Sequence, residues 1–234
     1  MKVDFSHIQN GIALLIDPDK SLHLQDLLLK PLASKINFFL VGGSGELKNS
    51  IDGILEKIKS KSNIPCIIFP GAISQISDKA DGIMIVSLLS GRNPEYLIGK
   101  LVQKASVIQN MKMSKIPVGY ILIDGGIKTS TQIVTETQPL SPTNITEIVN
   151  TAIAGELLGM KAIYLEAGSG AIHTVNLEII KEVRKNIQLP IIVGGGIKKY
   201  EEIKKMWQAG ANMVVIGNVL EKNPEMIEEI IQTT

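Results

Sequence analysis

The stretch Tyr164-Leu165-Glu166-Ala167-Gly168-Ser169-Gly170 shows how this chain of 234 residues is built. It follows an apolar run and precedes a segment with helical periodicity, which predicts a strand end, a turn and a helix start. Glu166 is expected at the carboxyl end of the strand, with Tyr164 on the same side because strand side chains alternate. The small residues leave backbone N–H groups bare before a helix, which favours an anion-binding turn.

The same arrangement recurs along the chain. Eight short apolar runs each end at a polar or glycine turn: Ile12–Ile16, Phe38–Val41, Cys66–Phe69, Ile83–Val86, Val118–Ile123, Ala162–Leu165, Ile191–Val193 and Met213–Ile216. Short runs of this kind, rich in β-branched residues, are typical of parallel strands covered by helices on both faces.

Most of the segments between these runs have the periodicity of amphipathic helices. They are Leu22–Leu32, Ser50–Ile58, Tyr96–Asn110, Asn144–Leu158, Leu177–Asn186, Tyr200–Gln208 and Pro224–Ile231. The exception is Ala72–Asp81, between the third and fourth runs, which is too short and too rich in turn residues for a full crossover helix. We therefore expect a reduced or missing helix there.

Eight alternating strand and helix units predict a (β/α)8 TIM barrel that forms a single domain over residues 1–234. The alternative is an open doubly wound sheet, but no Gly-x-Gly-x-x-Gly motif follows the first run, where such folds carry it. The stretch Ile127–Ser141 is the longest predicted loop. It would form either a mobile lid over the barrel mouth or a poorly packed surface excursion.

Composition excludes several classes of function. The formal net charge of +1 gives no electrostatic case for binding nucleic acid or an anionic membrane surface, and aromatic residues make up only 4% of the chain. The single cysteine, Cys66, excludes an internal disulfide, and no apolar run approaches the roughly 20 residues of a membrane span. With no signal-peptide pattern at the start, a cytoplasmic location is expected.

In a barrel of this kind every strand's carboxyl end faces the same mouth. Seven polar residues are therefore expected around one opening: Asp17, Asp19, Lys20, Ser44, Arg92, Asp124 and Glu166. Carboxylates at a strand end suit Mg²⁺, which takes one or two protein oxygens and keeps water and phosphate oxygens as its other ligands. The alternative for Asp17 and Asp19 is an Asp-Pro turn with a helix cap, and for Ser44 it is turn chemistry.

Two glycine turns favour a phosphate site. Gly194-Gly195-Gly196 follows the seventh run and Gly217-Asn218 the eighth, which is the recurring phosphate position of TIM barrels. The alternative is that both are tight turns that need a positive φ. We take phosphate binding as the stronger hypothesis because the two turns lie one βα unit apart.

Three further side chains are candidates for chemistry at the mouth. Glu166 is a candidate general base, since a partly desolvated carboxylate near a substrate hydroxyl can remove its proton. The hydroxyl of Tyr164 would orient substrate, or its ring would fill the barrel. Arg92, in a Gly-Arg-Asn-Pro turn, would hold a diphosphate or lie exposed in its loop.

These motifs occur together and in order in one known family. With Asp17-Pro18-Asp19-Lys20, Gly42-Gly43-Ser44, the Tyr164–Gly170 stretch and the two later glycine turns, the chain resembles the geranylgeranylglyceryl phosphate synthases over essentially its full length. This family includes the bacterial heptaprenylglyceryl phosphate synthases. The stretches 90–94 and 123–126 resemble the second of the family's two main sequence groups.

The resemblance implies a prenyltransferase that joins sn-glycerol 1-phosphate to a long prenyl diphosphate, with geranylgeranyl diphosphate as the expected donor, and releases diphosphate. It implies Mg²⁺ as cofactor, bound at Asp17 and Ser44. It also implies glycerol phosphate binding by Tyr164, Leu165, Glu166, Ala167, Gly168, Ser169, Gly170, Gly194, Gly195, Gly196, Gly217 and Asn218. A homo-oligomer, dimer or hexamer, is expected, together with a product that partitions into membranes and no nucleic-acid partner.

One position departs from the family pattern. Many members carry a lysine two residues before the first aspartate of the Asp-Pro-Asp motif, and this chain has Leu15 there. The diphosphate contacts assigned to that lysine do not transfer, and Lys20 or Arg92 are the candidate replacements. For the prenyl groove, Leu88, Leu89 and the Tyr96–Ile98 stretch are the candidate walls.

Two other functions remain open at this point. The first is a phosphate-site isomerase or lyase acting on a phosphorylated small molecule, which would need a catalytic lysine or a second acid; Asp124 is the candidate acid. The second is a barrel that binds a phosphorylated ligand without catalysis.

Overall fold

Eight parallel strands close into a barrel in sequential order, which confirms the predicted TIM-barrel fold. The computed structural model describes residues 3–20, 35–43, 45, 47–72, 74–217, 227 and 229–230. The strands are β1 Gly11–Ile16, β2 Phe38–Val41, β3 Cys66–Ile68, β4 Gly82–Leu88, β5 Ser114–Leu122, β6 Ala162–Glu166, β7 Ile191–Gly194 and β8 Met213–Ile216.

The helices lie close to where the sequence predicts them. They are α1 Ile51–Lys59, a π-helical turn at Glu95–Gly99 that continues into α2 Lys100–Asn110, α3 Ser130–Thr135, α4 Ile145–Leu157, α5 Leu177–Asn186 and α6 Tyr200–Gln208. The predicted helix Leu22–Leu32 and most of Pro224–Ile231 lie outside the described residues. No helix in the described ranges is long and apolar enough to cross a bilayer.

The connection between β3 and β4 has no helix among its described residues, as its turn-rich sequence predicts. Burial of Gln75 and Ser77 holds this short segment against the barrel. The helical layer around the barrel is therefore reduced at this point, and Ile85 on the outer face of β4 is only half-buried.

The stretch Ile127–Ser141 is more ordered than its composition suggests. It contains the short helix α3, and a β-bridge joins Ile123 to Leu140 at its end. Thr129 begins the helix with a capping box: its hydroxyl accepts from the Gln132 backbone N–H, and the Gln132 side chain accepts from the Thr129 N–H. The prediction of a continuous loop is wrong because threonines that are typical of loops serve here as a cap and as buried side chains.

Strand side chains alternate between two apolar layers, as expected when a sheet is covered on both faces. The barrel interior is filled by Ala13, Leu40, Ile67, Met84, Val118, Tyr120, Ala162, Tyr164, Ile192 and Val215. The outward-facing residues of the strands pack with helix residues such as Leu55, Ile148, Ile179 and Ile203. The barrel interior is thus a packed core with no room for a ligand between the described strands, below its open end.

Side chains at the amino ends of the strands tie neighbouring strands together. Asn37, Asp81 and Asn212 each lie just before a strand. Each accepts a hydrogen bond from the backbone N–H of a residue in the preceding strand, namely Ile12, Cys66 and Ile191, at 2.8–2.9 Å. The side chain of Asn212 also donates to the Ile8 carbonyl at 3.1 Å. These bonds satisfy backbone groups at the closed end of the barrel.

We expect Asn212→Ala to lower the free energy of unfolding by about 2 kcal/mol, because it leaves the Ile191 N–H and the Ile8 carbonyl without their partner. Urea unfolding followed by circular dichroism measures the change. The matched control is Asn186→Ala on the exposed end of α5, which should stay within about 0.5 kcal/mol of the wild type. Equal effects of the two substitutions would contradict the assigned role.

Candidate functional site

The carboxyl ends of the strands bring several of the predicted site residues to one mouth. Asp17 follows β1, Glu166 ends β6 and Gly217 follows β8. The backbone of Gly43, after β2, is so close to Asp17 that a β-carbon there would lie 3.0 Å from the Asp17 Oδ1 atom. A β-carbon on Gly217 would lie 3.5 Å from the side chain of Leu15. The ends of β1, β2 and β8 therefore meet at one rim.

Glu166 is a buried carboxyl group at this rim, with only 7% of the residue exposed. Burial raises its pKa to about 7, although the backbone N–H of Gly168 and the hydroxyl of Tyr164, which both hydrogen-bond to the carboxylate, act in the opposite direction. The Gly168 N–H lies 2.7 Å from Oε1. A carboxyl group with its pKa near neutrality and its position fixed from two sides is suited to accept a proton.

The glycines after β7 leave room for this carboxylate. A β-carbon on Gly194 would lie 2.6 Å from Oε2 of Glu166, and one on Gly195 would lie 2.4 Å from Oε1. Gly195 and Gly196 also have φ values of +87° and +72°, and Gly168 and Gly170 have +102° and +75°. The triple-glycine turn is therefore a tight turn that needs positive φ, and it also forms one wall around the base.

Asp17 and Asp19 have different roles despite their proximity. The Asp17 carboxylate is mostly covered, with 18% of its side chain exposed, and its Oδ2 lies 3.0 Å from the Lys20 Nζ atom. Asp19 is turned away and accepts hydrogen bonds from the backbone N–H groups of Lys48 and Asn49, which lower its pKa. The Asp17 Oδ1 atom also accepts from the Asp19 backbone N–H at 3.0 Å. Asp17 therefore belongs to an Asp-Pro turn at the rim and its role as a metal ligand stays a prediction, whereas Asp19 fixes the segment that precedes α1.

Gln75 is a site residue that the sequence analysis missed. It is 2% exposed, and its side chain accepts from the backbone N–H groups of Gly43 and Gly71 and donates to the carbonyls of Gly43 and Gly45. The side chain thereby fixes the glycine turn beside Asp17. Nothing in its local sequence distinguishes this glutamine from an exposed turn residue.

Arg92 and Asp124 follow β4 and β5, and both residues are exposed. The Arg92 guanidinium donates to the carbonyls of Leu89 and Ser90 and faces the Glu147 carboxylate at 3.7 Å. The exposed Asp124 carboxylate accepts from the Gly126 N–H within its own turn. The structure therefore gives Arg92 no contact with the other candidate residues, and its diphosphate role stays a prediction, as does that of Lys20.

Three aromatic rings form the floor beneath the mouth. The rings of Phe69 and Tyr164 stack with centroids 5.4 Å apart, and those of Tyr120 and Tyr164 lie 5.2 Å apart. Burial, together with the nearby Glu166 carboxylate, raises the pKa of both tyrosines well above the usual value. Both phenols stay neutral, so Tyr164 is a hydrogen-bond donor to Glu166 and also fills the barrel.

An apolar groove runs from the mouth along the outside of the barrel. It begins at Glu166, Ser169 and Leu15 and passes between β4 and the π-helical turn and α2, where the missing helix leaves space. Its empty volume is about 1360 Å³, including the space open to solvent. Its walls include Ile76, Ile83, Ile85, Leu97, Leu101 and Ile108.

Most of the residues predicted as walls of a prenyl groove line this groove, and its occupant stays a prediction. Leu88 and the stretch Tyr96–Ile98 line the groove. Leu89 does not belong to it: its side chain lies in the space beside Gly119 and Gly155, between β5 and α4. The two leucines are consecutive, so they point to opposite sides of the chain. Two other predicted residues, Ser44 and Asn218, lie outside the described residues.

Comparisons with known proteins point to the same family that the sequence motifs resemble. The PcrB family model matches residues 7–234. A geranylgeranylglyceryl phosphate synthase of Flavobacterium johnsoniae is 46% identical over 222 residues, which cover 94% of this chain and 91% of that protein.

Solved structures of two geranylgeranylglyceryl phosphate synthases resemble this chain over nearly its whole length. The geranylgeranylglyceryl phosphate synthase of Thermoplasma acidophilum, in complex with its substrate sn-glycerol-1-phosphate, superposes with a TM-score of 0.88 at 31% identity and covers 96% of this chain and 92% of that one. The enzyme of Thermoplasma volcanium gives a TM-score of 0.85 at 29% identity, covering 97% and 92%. The chain therefore belongs to the PcrB family, together with the geranylgeranylglyceryl phosphate synthases, and is an enzyme that transfers prenyl groups.

Proposed function

We propose that this enzyme joins sn-glycerol 1-phosphate to a long-chain prenyl diphosphate, with geranylgeranyl diphosphate as the expected donor, in a reaction that requires Mg²⁺. The observation that carries the proposal is the position of Glu166. Its carboxylate lies where the glycine turns after β6 and β7 meet the start of the apolar groove. A base at this junction can serve a small phosphorylated acceptor on one side and a long apolar donor on the other.

The polar side of the junction suits glycerol phosphate. Glycine turns follow β6 and β7, the exposed Ser169 lines the start of the groove, and Gly217 follows β8. Backbone N–H groups in such turns bind phosphate, and this is the recurring phosphate position in TIM barrels. The glycerol phosphate bound in the similar Thermoplasma acidophilum enzyme supports the same substrate here.

The apolar side suits the prenyl chain. The groove leaves the mouth beside Leu15 and is bounded by aliphatic residues of β4 and α2. An apolar chain laid there would replace water against these side chains, which is favourable in proportion to the area covered. The diphosphate end would then lie at the mouth, near Asp17.

Asp17 fits a magnesium site by its chemistry. It offers one carboxylate at the barrel mouth, and no cluster of three or more acidic, histidine or cysteine residues occurs in the described part of the chain. Mg²⁺ usually takes one or two carboxylates and completes its shell with water and phosphate oxygens. Bound by Asp17, with Ser44 as the second expected ligand, it would neutralise charge on the diphosphate leaving group.

The residues of the chain then account for the transfer step. Glu166 accepts the proton of the glycerol hydroxyl, and that oxygen forms a bond to the first carbon of the prenyl chain. The bond from this carbon to the diphosphate oxygen breaks, and the electron pair leaves with diphosphate. The glycine turns and the groove hold the two substrates in line, so the attack is effectively intramolecular, and Tyr164 keeps the carboxylate oriented.

An isomerase or lyase mechanism has less support. It would need a catalytic lysine or a second acid on strands two to five, and Asp124, the candidate acid, is exposed and bonded to its own turn. We expect the enzyme to be a cytoplasmic homo-oligomer, dimer or hexamer, and these expectations stay predictions.

The first test is Glu166→Gln. It keeps the shape of the side chain but removes the base, so turnover should fall by ~10²-fold or more, while binding of glycerol phosphate is largely retained. Incorporation of labelled sn-glycerol 1-phosphate into an organic-soluble product measures turnover, and calorimetry measures binding.

Glu178→Gln, on the exposed face of α5, is the matched control and should behave as the wild type. Full turnover in Glu166→Gln would refute the assignment of Glu166 as the base. No turnover by the wild type with any prenyl diphosphate, despite glycerol phosphate binding, would instead favour the non-enzymatic binding barrel.

The second test is the pH dependence of the rate. Burial raises the pKa of Glu166 to about 7, and the base is active only when deprotonated. Below that pH, kcat/KM should therefore fall about tenfold for each pH unit, and above it the rate should level off. The residual rate of Glu166→Gln should lose this dependence. A wild-type profile that is flat between about pH 5.5 and about pH 8 would contradict the assignment of Glu166 as the base.

The third test concerns the metal. Asp17→Asn should raise the Mg²⁺ concentration needed for half-maximal rate by about tenfold or more, because a neutral amide is a weaker ligand than a carboxylate. Rates measured over a Mg²⁺ titration after chelation give this value. Asp124→Asn, which changes an exposed acid that is bonded within its own turn, should leave the titration unchanged. A wild-type rate that is unchanged after chelation would contradict the proposed requirement for Mg²⁺.

A further inference from the structure

The turn after β2 forms a part of the rim that lies close to Asp17. Gly42 and Gly43 line the groove together with Leu15, where the groove opens onto the mouth. A β-carbon on Gly43 would lie 3.0 Å from the Asp17 Oδ1 atom, and one on Gly42 would clash with the carbonyl oxygen of Phe69. The backbone of this turn is therefore confined between the ends of β1 and β3.

The backbone of the turn satisfies only some of its own polar groups. The Gly42 N–H donates to the Ile16 carbonyl of β1 at 3.1 Å, and the Gly45 N–H donates to the Gly43 carbonyl at 2.9 Å. These two bonds leave the Gly43 N–H, the Gly45 carbonyl and a second acceptor position on the Gly43 carbonyl to other partners. The position of the turn at the rim therefore depends on what binds these groups.

The side chain of Gln75 binds all three of them. Its Oε1 atom accepts from the N–H groups of Gly43 and Gly71, both at 3.2 Å. Its Nε2 atom donates to the carbonyl of Gly43 at 2.9 Å and to that of Gly45. Two accepted and two donated hydrogen bonds are the full capacity of an amide. One buried side chain thus joins the turn after β2 to the turn after β3.

The segment that carries Gln75 also lines the groove and is held at a second point. Ala72 and Ile76 are groove residues on either side of Gln75 in the sequence. The next residue, Ser77, forms a side-chain hydrogen bond with the Asp52 carboxylate of α1. Because the segment is tied to α1 through Ser77, the amide of Gln75 can position the rim turn from a fixed support.

We propose that Gln75 is a positioning residue for the diphosphate end of the prenyl donor, because it fixes the turn after β2 beside Asp17. The inference rests on the proposed function, which puts the donor's diphosphate and Mg²⁺ at this part of the mouth. Gln75 acts through the turn and is not itself a ligand, since every hydrogen-bonding position of its amide is already used. Partners of this kind behind a metal site typically contribute about tenfold to about hundredfold to affinity.

The proposal predicts an effect on one substrate only. The four hydrogen bonds of Gln75 all end on the turns after β2 and β3, whereas glycerol phosphate is proposed to bind at the turns after β6, β7 and β8. A purely structural glutamine would also stabilise the fold, because buried hydrogen bonds do so in general. Stability therefore cannot distinguish the two roles, but selective loss of diphosphate binding can.

Calorimetry with inorganic diphosphate in the presence of Mg²⁺ tests the proposal, with glycerol phosphate as the second ligand. Gln75→Met keeps the length of the side chain and removes all hydrogen bonds of the amide. Its dissociation constant for diphosphate should rise by about tenfold or more, and the KM for prenyl diphosphate should rise with it. Its dissociation constant for glycerol phosphate should match that of the wild type.

Ser77→Ala is the matched control, because Ser77 is also buried in the same segment but bonds to Asp52 instead of the rim turn. It should lower the midpoint of thermal unfolding and leave diphosphate binding unchanged. Circular dichroism verifies that both variants are folded at the temperature of the titration. Unchanged diphosphate binding in folded Gln75→Met, equal weakening of both ligands in it, or an equal loss in Ser77→Ala would overturn the proposal.

Hydrogen exchange of the wild type tests the same proposal without any substitution. Coupling between two events is reciprocal, so if the fixed turn favours diphosphate, bound diphosphate must favour the fixed turn. The N–H groups of Gly43 and Gly71, which both donate to Gln75, should therefore exchange more slowly once diphosphate and Mg²⁺ are added. Glycerol phosphate alone should leave their exchange unchanged. Exchange that is the same with and without diphosphate would contradict the positioning role.

Failure of this inference and failure of the proposed function give different results. Prenyl transfer by Gln75→Met with an unchanged KM for prenyl diphosphate refutes only the positioning role. A wild type that binds diphosphate in a manner that depends on Gln75, but transfers no prenyl group, refutes the proposed function and leaves the positioning role standing. A wild type that does not bind diphosphate refutes both.

Discussion

The structure of the site depends on one constraint, which is the burial of a carboxyl group at the end of β6. A buried Glu166 needs polar partners, because an unpaired carboxylate in an apolar interior is strongly disfavoured. Gly168 and Tyr164 provide the hydrogen bonds, while Gly194 and Gly195 provide the space that a β-carbon would occupy. The motif after β6 and the glycines after β7 are therefore two parts of one arrangement. Gly195 and Gly196 have positive φ, so the turn that makes room for the base is also of the kind whose backbone N–H groups can bind an anion.

The apolar groove, which is the second part of the site, arises where one covering helix is missing among the described residues. In a barrel of this kind each strand is usually followed by a covering helix, but the described residues between β3 and β4 form none. Ile85, on the outer face of β4, would be covered by such a helix, and here it is half-buried and lines a groove. Gln75 occupies part of the shortened connection and holds the turn beside Asp17. One shortened segment thus opens an apolar path and positions the polar end of that path.

The sequence predicts the regular parts of the fold well because they follow from periodicity. Strands such as Phe38–Val41 and helices such as Leu177–Asn186 have the predicted bounds, since apolar spacing alone decides them. Prediction from the sequence fails where a side chain's partner is distant along the chain. No residue near Gln75 predicts its burial, and no residue near Arg92 predicts its contact with Glu147. Composition also misled at residues 127–141, where Thr129 caps a helix. Strand-end positions could be predicted, but the direction of each side chain at the mouth could not.

The two sides of the barrel differ in how firmly they are packed, and this difference matches the two kinds of ligand. Beside the glycine turns after β6 and β7, α5 and α6 bury Ile179, Ile180 and Ile203 completely. This packing would hold in fixed positions the backbone N–H groups that are proposed to bind a small anion. On the groove side, the π-helical turn and α2 bury no residue completely. Dispersion contacts with an apolar chain are not directional, so the groove does not need the same precision. A π-helical turn is a common irregularity at functional sites, and here it begins the one helix that rests on a groove. Rigid packing is therefore placed where geometry selects the ligand, and looser packing where only apolar contact does.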